Sequence, residues 1–173
     1  VADTWLGDAR GPEEWRDDLV RVTGPLARSL QGAFGQLWSS ATGEILTGPG
    51  SFPAEAGLAA EDAGLPIHVS VVSSPSDVSR RLAKTWWLSF AGASERLWIT
   101  TPYFVPDEPI LDVLAERARA GVDVRILTAG PHVDFGFVRW AAQHFYEGLL
   151  EAGVRIYEYQ PTLVHSKLVV ADG

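Results

Sequence analysis

Two periodicities take turns along the second half of the chain. Ile67, Val69 and Val71 share one face of a run whose other face carries His68 and Ser70, which predicts a strand over 67–73. Ser73-Ser74-Pro75 ends it, and Ser76 or Asp77 is placed to cap a helix over 77–92 with Val78, Leu82, Trp86 and Phe90 on its apolar stripe. A strand follows over 96–101, then a loop clamped by Pro102 and Pro106, then a helix over 108–120 capped by Asp107 and closed by Gly121. Ile110, Leu111, Leu114 and Ala118 form the expected buried face of that helix. The pattern returns to strand over 122–128. It predicts one long helix over 135–151, with Val138, Ala141, Ala142, Phe145 and Leu149 inside, and further strands over 154–159 and 164–171.

A strand, a helix of about three turns and another strand make a crossover unit, so the strands at 96–101 and 122–128 should be parallel. The short turn Gln160-Pro161-Thr162 leads to the expectation that the last two strands are antiparallel neighbours. The fold class is therefore α/β: a layered α/β/α arrangement around a mixed, partly parallel sheet. In open sheets of this kind ligands gather at the carboxyl ends of the parallel strands. Tyr103 and the loop His132-Val133-Asp134 fall on that edge and are candidate pocket residues.

The first third reads differently. Residues 1–16 look like a loop, 17–23 like a strand, and Gly24-Pro25 like a turn into a helix that runs to about Ser39, with Leu26, Leu30, Phe34, Leu37 and Trp38 on one face and Gly32 and Gly35 inside it. Residues 40–66 hold Gly, Pro, Ala and acids without periodicity, too long a stretch for an ordinary loop, and read as a connection in which Ile45-Leu46 is a short pinned segment. The division is thus 1–39, a linker over 40–66, and 67–173. No internal repeat is visible.

With 173 residues, 46% of them hydrophobic, the chain can build a substantial core. It has no cysteine, hence neither disulfides nor thiolate metal sites. It has no methionine and opens on Val1, so we read it as an excerpt of a longer protein; no apolar run in it reaches the length of a membrane span. Of the net charge of −8, half falls in residues 40–66, which contain four acids and no base. No basic run offers the footprint a nucleic-acid backbone requires, so nucleic acid is not the expected partner.

The chemistry concentrates at Val164-His165-Ser166-Lys167-Leu168-Val169-Val170-Ala171-Asp172. On a strand His165 and Lys167 point to the same side, roughly 7 Å apart, with Leu168 and Val170 turned the other way into a core. An imidazole beside an ammonium is costly unless something anionic binds between them. Such a pair can neutralise a phosphodiester and attack phosphorus or protonate a leaving oxygen. A carboxylate is then needed to hold the histidine tautomer; Asp172 is one candidate, a residue outside this chain the other. The remaining candidates have plainer readings. Trp86-Trp87 is read as core packing rather than a lipid-facing pair, His68 as a strand histidine near an edge, His144 as structural beside Phe145, and His132 with Asp134 as a solvated loop rather than a metal site.

The pattern His165-x-Lys167-x4-Asp172 resembles the signature of the phospholipase D superfamily. The stretches ITTPYFVPDEPILDVL, ARAGVDVRIL, FYEGLLEAGVRIYEYQP and LVHSKLVVAD resemble the second lobe of bacterial cardiolipin synthases; VADTWLG and WRDDLVRVTGP resemble the segment after the first motif of the same family. The resemblance implies a second lobe over 67–173 and the tail of a first lobe over 1–39. It implies a phosphatidyltransferase that moves a phosphatidyl group between two phosphatidylglycerol molecules through a phosphohistidine, without metal or other cofactor. His165, Lys167 and Asp172 are then catalytic, and the partner is a missing first lobe or a second copy of the chain. The full-length protein is expected at the bacterial cytoplasmic membrane, held by regions outside this chain, with the fragment itself soluble. The neighbouring expectations are a phospholipase D-type hydrolase and a silent half that needs its partner lobe. Trp15-Arg16-Asp17 is expected to start a strand and make only a local ion pair.

Overall fold

The computed structural model describes residues 3–5, 8–22, 25–52 and 78–173. The strand expected over 67–73 with His68, the caps Ser76 and Asp77, and most of the expected linker lie outside the described residues. The chain forms two compact units, residues 1–19 with 85–173, and residues 20–84.

The first unit holds a four-stranded sheet. Helix α3 (Val78–Gly92) leads into β1 (Arg96–Thr100), followed by α4 (Glu108–Arg119), β2 (Asp123–Ala129), α5 (Gly136–Gln143), α6 (Tyr146–Glu151), β3 (Arg155–Tyr159) and β4 (Leu168–Ala171). The strand order is β3-β2-β1-β4. β1, β2 and β3 are parallel, and β4 lies antiparallel against β1, with Thr100 opposite Leu168. The α/β fold with a mixed sheet is as the periodicity predicts.

The crossover is built as its sequence requires. The Asp107 carboxylate accepts from the Ile110 N–H at 3.2 Å, closing the first turn of α4. Gly121, at φ +93°, makes the left-handed turn into β2. Val113 and Leu114 are buried with Leu97, Val124 and Ile126 in the main core. Ile110, Leu111 and Ala118, expected as the buried face, pack at its margin.

Three expectations are corrected. β3 and β4 are not neighbours but lie on opposite edges of the sheet, because the chain from 160 to 167 crosses the carboxyl ends of the parallel strands instead of turning back. The long helix is two, since the Phe145 N–H bonds the Ala142 carbonyl three residues back and the ladder tightens at His144-Phe145. The motif strand starts only at Leu168, and Leu168 and Val170, expected inside, lie on the exposed face with Trp98. That face also carries Arg125, Asp123 and Arg155; Arg125 sits 4.8 Å over the Trp98 ring and Asp123 accepts from both arginines. Among the described residues, α4, α5 and α6 cover the opposite face, which carries Leu97, Ile99, Val124 and Ile126.

Trp86 and Trp87 are each about two-fifths exposed, and Phe90 is the buried anchor of that helix, its ring 5.9 Å from that of Trp86. The expected core role thus belongs to Phe90, one turn on.

In the second unit α1 (Pro25–Thr42) runs three residues past its predicted end and stops at Gly43, φ +76°. The one-turn helix α2 (Gly48–Ser51) follows. The expected strand over 17–23 does not form in the described residues: 17–22 is irregular, and Leu19 and Val20 stand in solvent. A strand needs a neighbour for its ladder, and no described residue supplies one.

Candidate active site

The crossing segment 160–167 is held at the carboxyl edge by residues from the far end of the chain. Arg16 makes a parallel bridge with Val164, its N–H bonding the Leu163 carbonyl and its carbonyl receiving the His165 N–H, each at 2.8 Å. The fully buried Thr162 hydroxyl donates to the Glu14 carbonyl at 2.6 Å, and the buried Ser166 hydroxyl donates to the Arg16 carbonyl at 3.3 Å. Val164 and Leu163 pack with Ala129, Trp15 and Tyr159 in a small second core. Pairing in register places the residue after Arg16 beside the residue after Val164, so Asp17 meets His165.

The His165 Nδ1 lies 2.9 Å from the Asp17 Oδ2. Its Nε2 lies 3.2 Å from the Lys167 Nζ, which also donates to the His165 carbonyl at 2.9 Å. A carboxylate only accepts and an ammonium only donates, so the partners set the tautomer: Nδ1 carries the proton and Nε2 holds the lone pair. Burial by itself would raise the Asp17 pKa. The hydrogen bond from His165, the Asp18 N–H and the charges at His165 and Lys167 outweigh that and hold it below the usual carboxylate range. The carboxylate therefore stays ionised and fixes the ring.

The other flank of Lys167 is aromatic. Its Nζ stands 5.8 Å from the centre of the Tyr103 ring, within cation–π reach. The Tyr103 hydroxyl donates to the Asp134 Oδ2 at 2.6 Å. Burial, the hydrogen bond to Asp134 and that group's charge push the phenol up to about 12, so it remains a donor. His132 sits in the same loop as Asp134 and makes no hydrogen bond to another described residue; His144 lies against Phe145. Of the residues singled out in the sequence, the fold thus joins His165, Lys167 and Tyr103.

Asp172 is not brought to them. β4 carries it to the amino end of β1, roughly 20 Å of extended chain from His165. Its carboxylate accepts from the N–H groups of Ser94, Glu95 and Arg96 and from the Ser94 hydroxyl, all within 2.9 Å. The three backbone donors drive its pKa far down. It sits at φ +54° as the clasp of the turn that starts β1, and the carboxylate demanded by the histidine is Asp17. The signal for Asp17 was present: an acidic pair after Trp15-Arg16, at the start of an apolar run. Only the bridge to Val164 selects it.

Residues 89–173 match the family described as cardiolipin synthase, PLD-like domain. The chain carries a phospholipase D-like domain of the cardiolipin synthase family. It is 34% identical to a cardiolipin synthase 2 of Bacillus cereus over 172 residues, 99% of this chain and 33% of that protein. It is also 34% identical to a cardiolipin synthase of Geobacillus kaustophilus over 173 residues, all of this chain and 34% of that one. The chain thus spans about one third of the length of these relatives. A solved polyphosphate kinase from Porphyromonas gingivalis superposes on 56% of the chain and 16% of its own, at 20% identity and a TM-score of 0.39, a likeness too slight to build on. Among the described residues of this phospholipase D-like domain, no helix is long and apolar enough to cross a membrane.

Proposed function

We propose that this chain supplies half of the active site of a bacterial phosphatidyltransferase that joins two phosphatidylglycerol molecules into cardiolipin and releases glycerol. The observation that carries the proposal is the run Asp17–His165–Lys167, with contacts of 2.9 and 3.2 Å. Lys167 neutralises the nonbridging oxygens of the phosphodiester, as an anionic substrate requires. His165 serves as acid and then base at Nε2, with Asp17 holding Nδ1–H and stabilising the imidazolium as it forms. The nucleophilic histidine comes from a second His-x-Lys motif, in a first lobe of the same protein or in a second copy of the chain. The first half-reaction starts with His165 as the imidazolium: a P–N bond to that histidine forms, the P–O bond to glycerol breaks, and His165 gives its Nε2 proton to the glycerol oxygen, keeping Nδ1–H on Asp17. In the second, the acceptor oxygen forms the new P–O bond, the P–N bond breaks with its electron pair returning to nitrogen, and the acceptor proton passes to His165.

The match to cardiolipin synthases along nearly the whole chain supports the lipid substrate, and the absence of a basic run supports it over nucleic acid. The span of one third of those relatives supports a missing lobe and a membrane attachment carried by other regions. A phospholipase D-type hydrolase, with water as acceptor, uses the same groups.

The test is the product spectrum of the whole protein that carries these residues, supplied with phosphatidylglycerol vesicles. Cardiolipin and glycerol are expected. Phosphatidic acid alone would make it a hydrolase, and turnover by the isolated chain as a proven monomer would remove the need for a second motif.

A further inference from the structure

The mechanism leaves two large side chains at the site unused. The rings of Trp5 and Trp15 both lie against the imidazole of His165, with centroids 6.1 and 5.0 Å away, and the two indoles are 6.1 Å from each other. Two rings on opposite faces of an imidazole would stand much farther apart than that. The three rings therefore form a triangle, and both indoles cover the same flank. Trp5 is nearly parallel to the imidazole, at 10°. The Trp15 backbone N–H bonds the Thr4 carbonyl at 2.8 Å, which fastens the short 3-10 turn Asp3–Trp5 to the segment carrying Trp15 and Asp17. One flank of His165 is thus walled by two indole rings, while its Nε2 faces Lys167.

We infer that the Trp5–Trp15 wall makes Trp5 a specificity-determining residue, which biases the second half-reaction toward a lipid hydroxyl and against water. The inference rests on the reading of the site as a phosphatidyltransferase. A water poised for attack near Nε2 needs two or more polar partners to hold it, and the indole flank offers none along its ring faces. The headgroup glycerol of a phosphatidylglycerol acceptor can lay its C–H edge on that wall, burying apolar surface there while its hydroxyl turns toward Nε2. The acceptor proton passes to Nε2 in either case. What differs is how well each acceptor is held while its oxygen forms the P–O bond and the P–N bond breaks.

Trp5 is the residue to change, because Trp15 belongs to the second core with Leu163 and Val164 and its loss would disturb the motif, whereas Trp5 is 44% exposed. In the whole protein, with phosphatidylglycerol vesicles, the ratio of phosphatidic acid to cardiolipin is measured for wild type, Trp5→Ala and Trp5→Phe. The ratio does not depend on how much of the enzyme is folded. Trp5→Ala is expected to raise it roughly tenfold, the size of effect an apolar wall contributes to discrimination, and Trp5→Phe to restore most of it. An unchanged ratio in Trp5→Ala, with cardiolipin still made, overturns this inference and leaves the transferase reading standing. Wild type making no cardiolipin overturns both.

Discussion

The carboxylate of Asp17 lies 2.9 Å from the Nδ1 of His165 across 148 residues of chain. That contact ties an N-terminal segment to the motif near the other end of the sequence, and it orients the ring that the proposed chemistry uses.

Asp17→Asn should reduce turnover of the whole protein by roughly 10²- to 10⁴-fold, as loss of the charge that holds a catalytic imidazole does elsewhere. Asp18→Asn, which removes only an exposed pairing with Arg16, should stay within about twofold. Initial rates of cardiolipin formation distinguish the two. Equal losses would mean that Asp17 is merely structural.

Lys167→Ala should cost roughly 10²- to 10³-fold in kcat, the range for removing one donor to a developing oxyanion. Lys167→Arg should recover only part of it, because a guanidinium is broad and planar where the Tyr103 ring and His165 frame a point charge. Full activity in the arginine variant would argue that charge alone is needed.

Asp172→Asn should lower the melting temperature while leaving the pH dependence of kcat intact. The folded pKa of Asp172 lies below its unfolded value, so its contribution is fully present above the ordinary carboxylate range and is lost as pH falls through and below it. The gap in melting temperature between wild type and variant should therefore be widest near pH 7, begin to narrow only below about pH 4, and still be open at pH 3, because the folded pKa lies well below that. A gap that widens in acid would contradict the assigned clasp.

Gly130→Ala should destabilise the first unit by about 1–3 kcal/mol in chemical denaturation. A Cβ there would meet the Tyr159 carbonyl oxygen at 2.3 Å, where the chain leaving β2 crosses the end of β3. The obstacle is backbone, so the edge that carries the site must shift to admit it. Gly148→Ala, with open space around it, serves as the control.

Much of the fold was legible because it is decided within a few residues. The alternation over 96–101 and 122–128, the Asp107 cap and the turn at Gly121 specify a crossover unit before any distant contact forms. The adjacency of His165 and Lys167 was legible for the same reason: two residues apart on extended chain, they share a side. The split at His144-Phe145 was not, since the apolar stripe continues through it and only packing tightens the ladder.

The sequence by itself determined the crossover between parallel strands, with its cap and closing turn, and the pairing of an imidazole with an ammonium suited to phosphate. Only the tertiary structure decided that β4 joins the sheet beside β1, that Asp172 clasps a turn, and that Asp17 and two tryptophans close on His165. Periodicity and capping are written in neighbouring residues. The choice among carboxylates far apart in the chain depends on which backbone groups find each other across a sheet edge, and no local pattern carries that information.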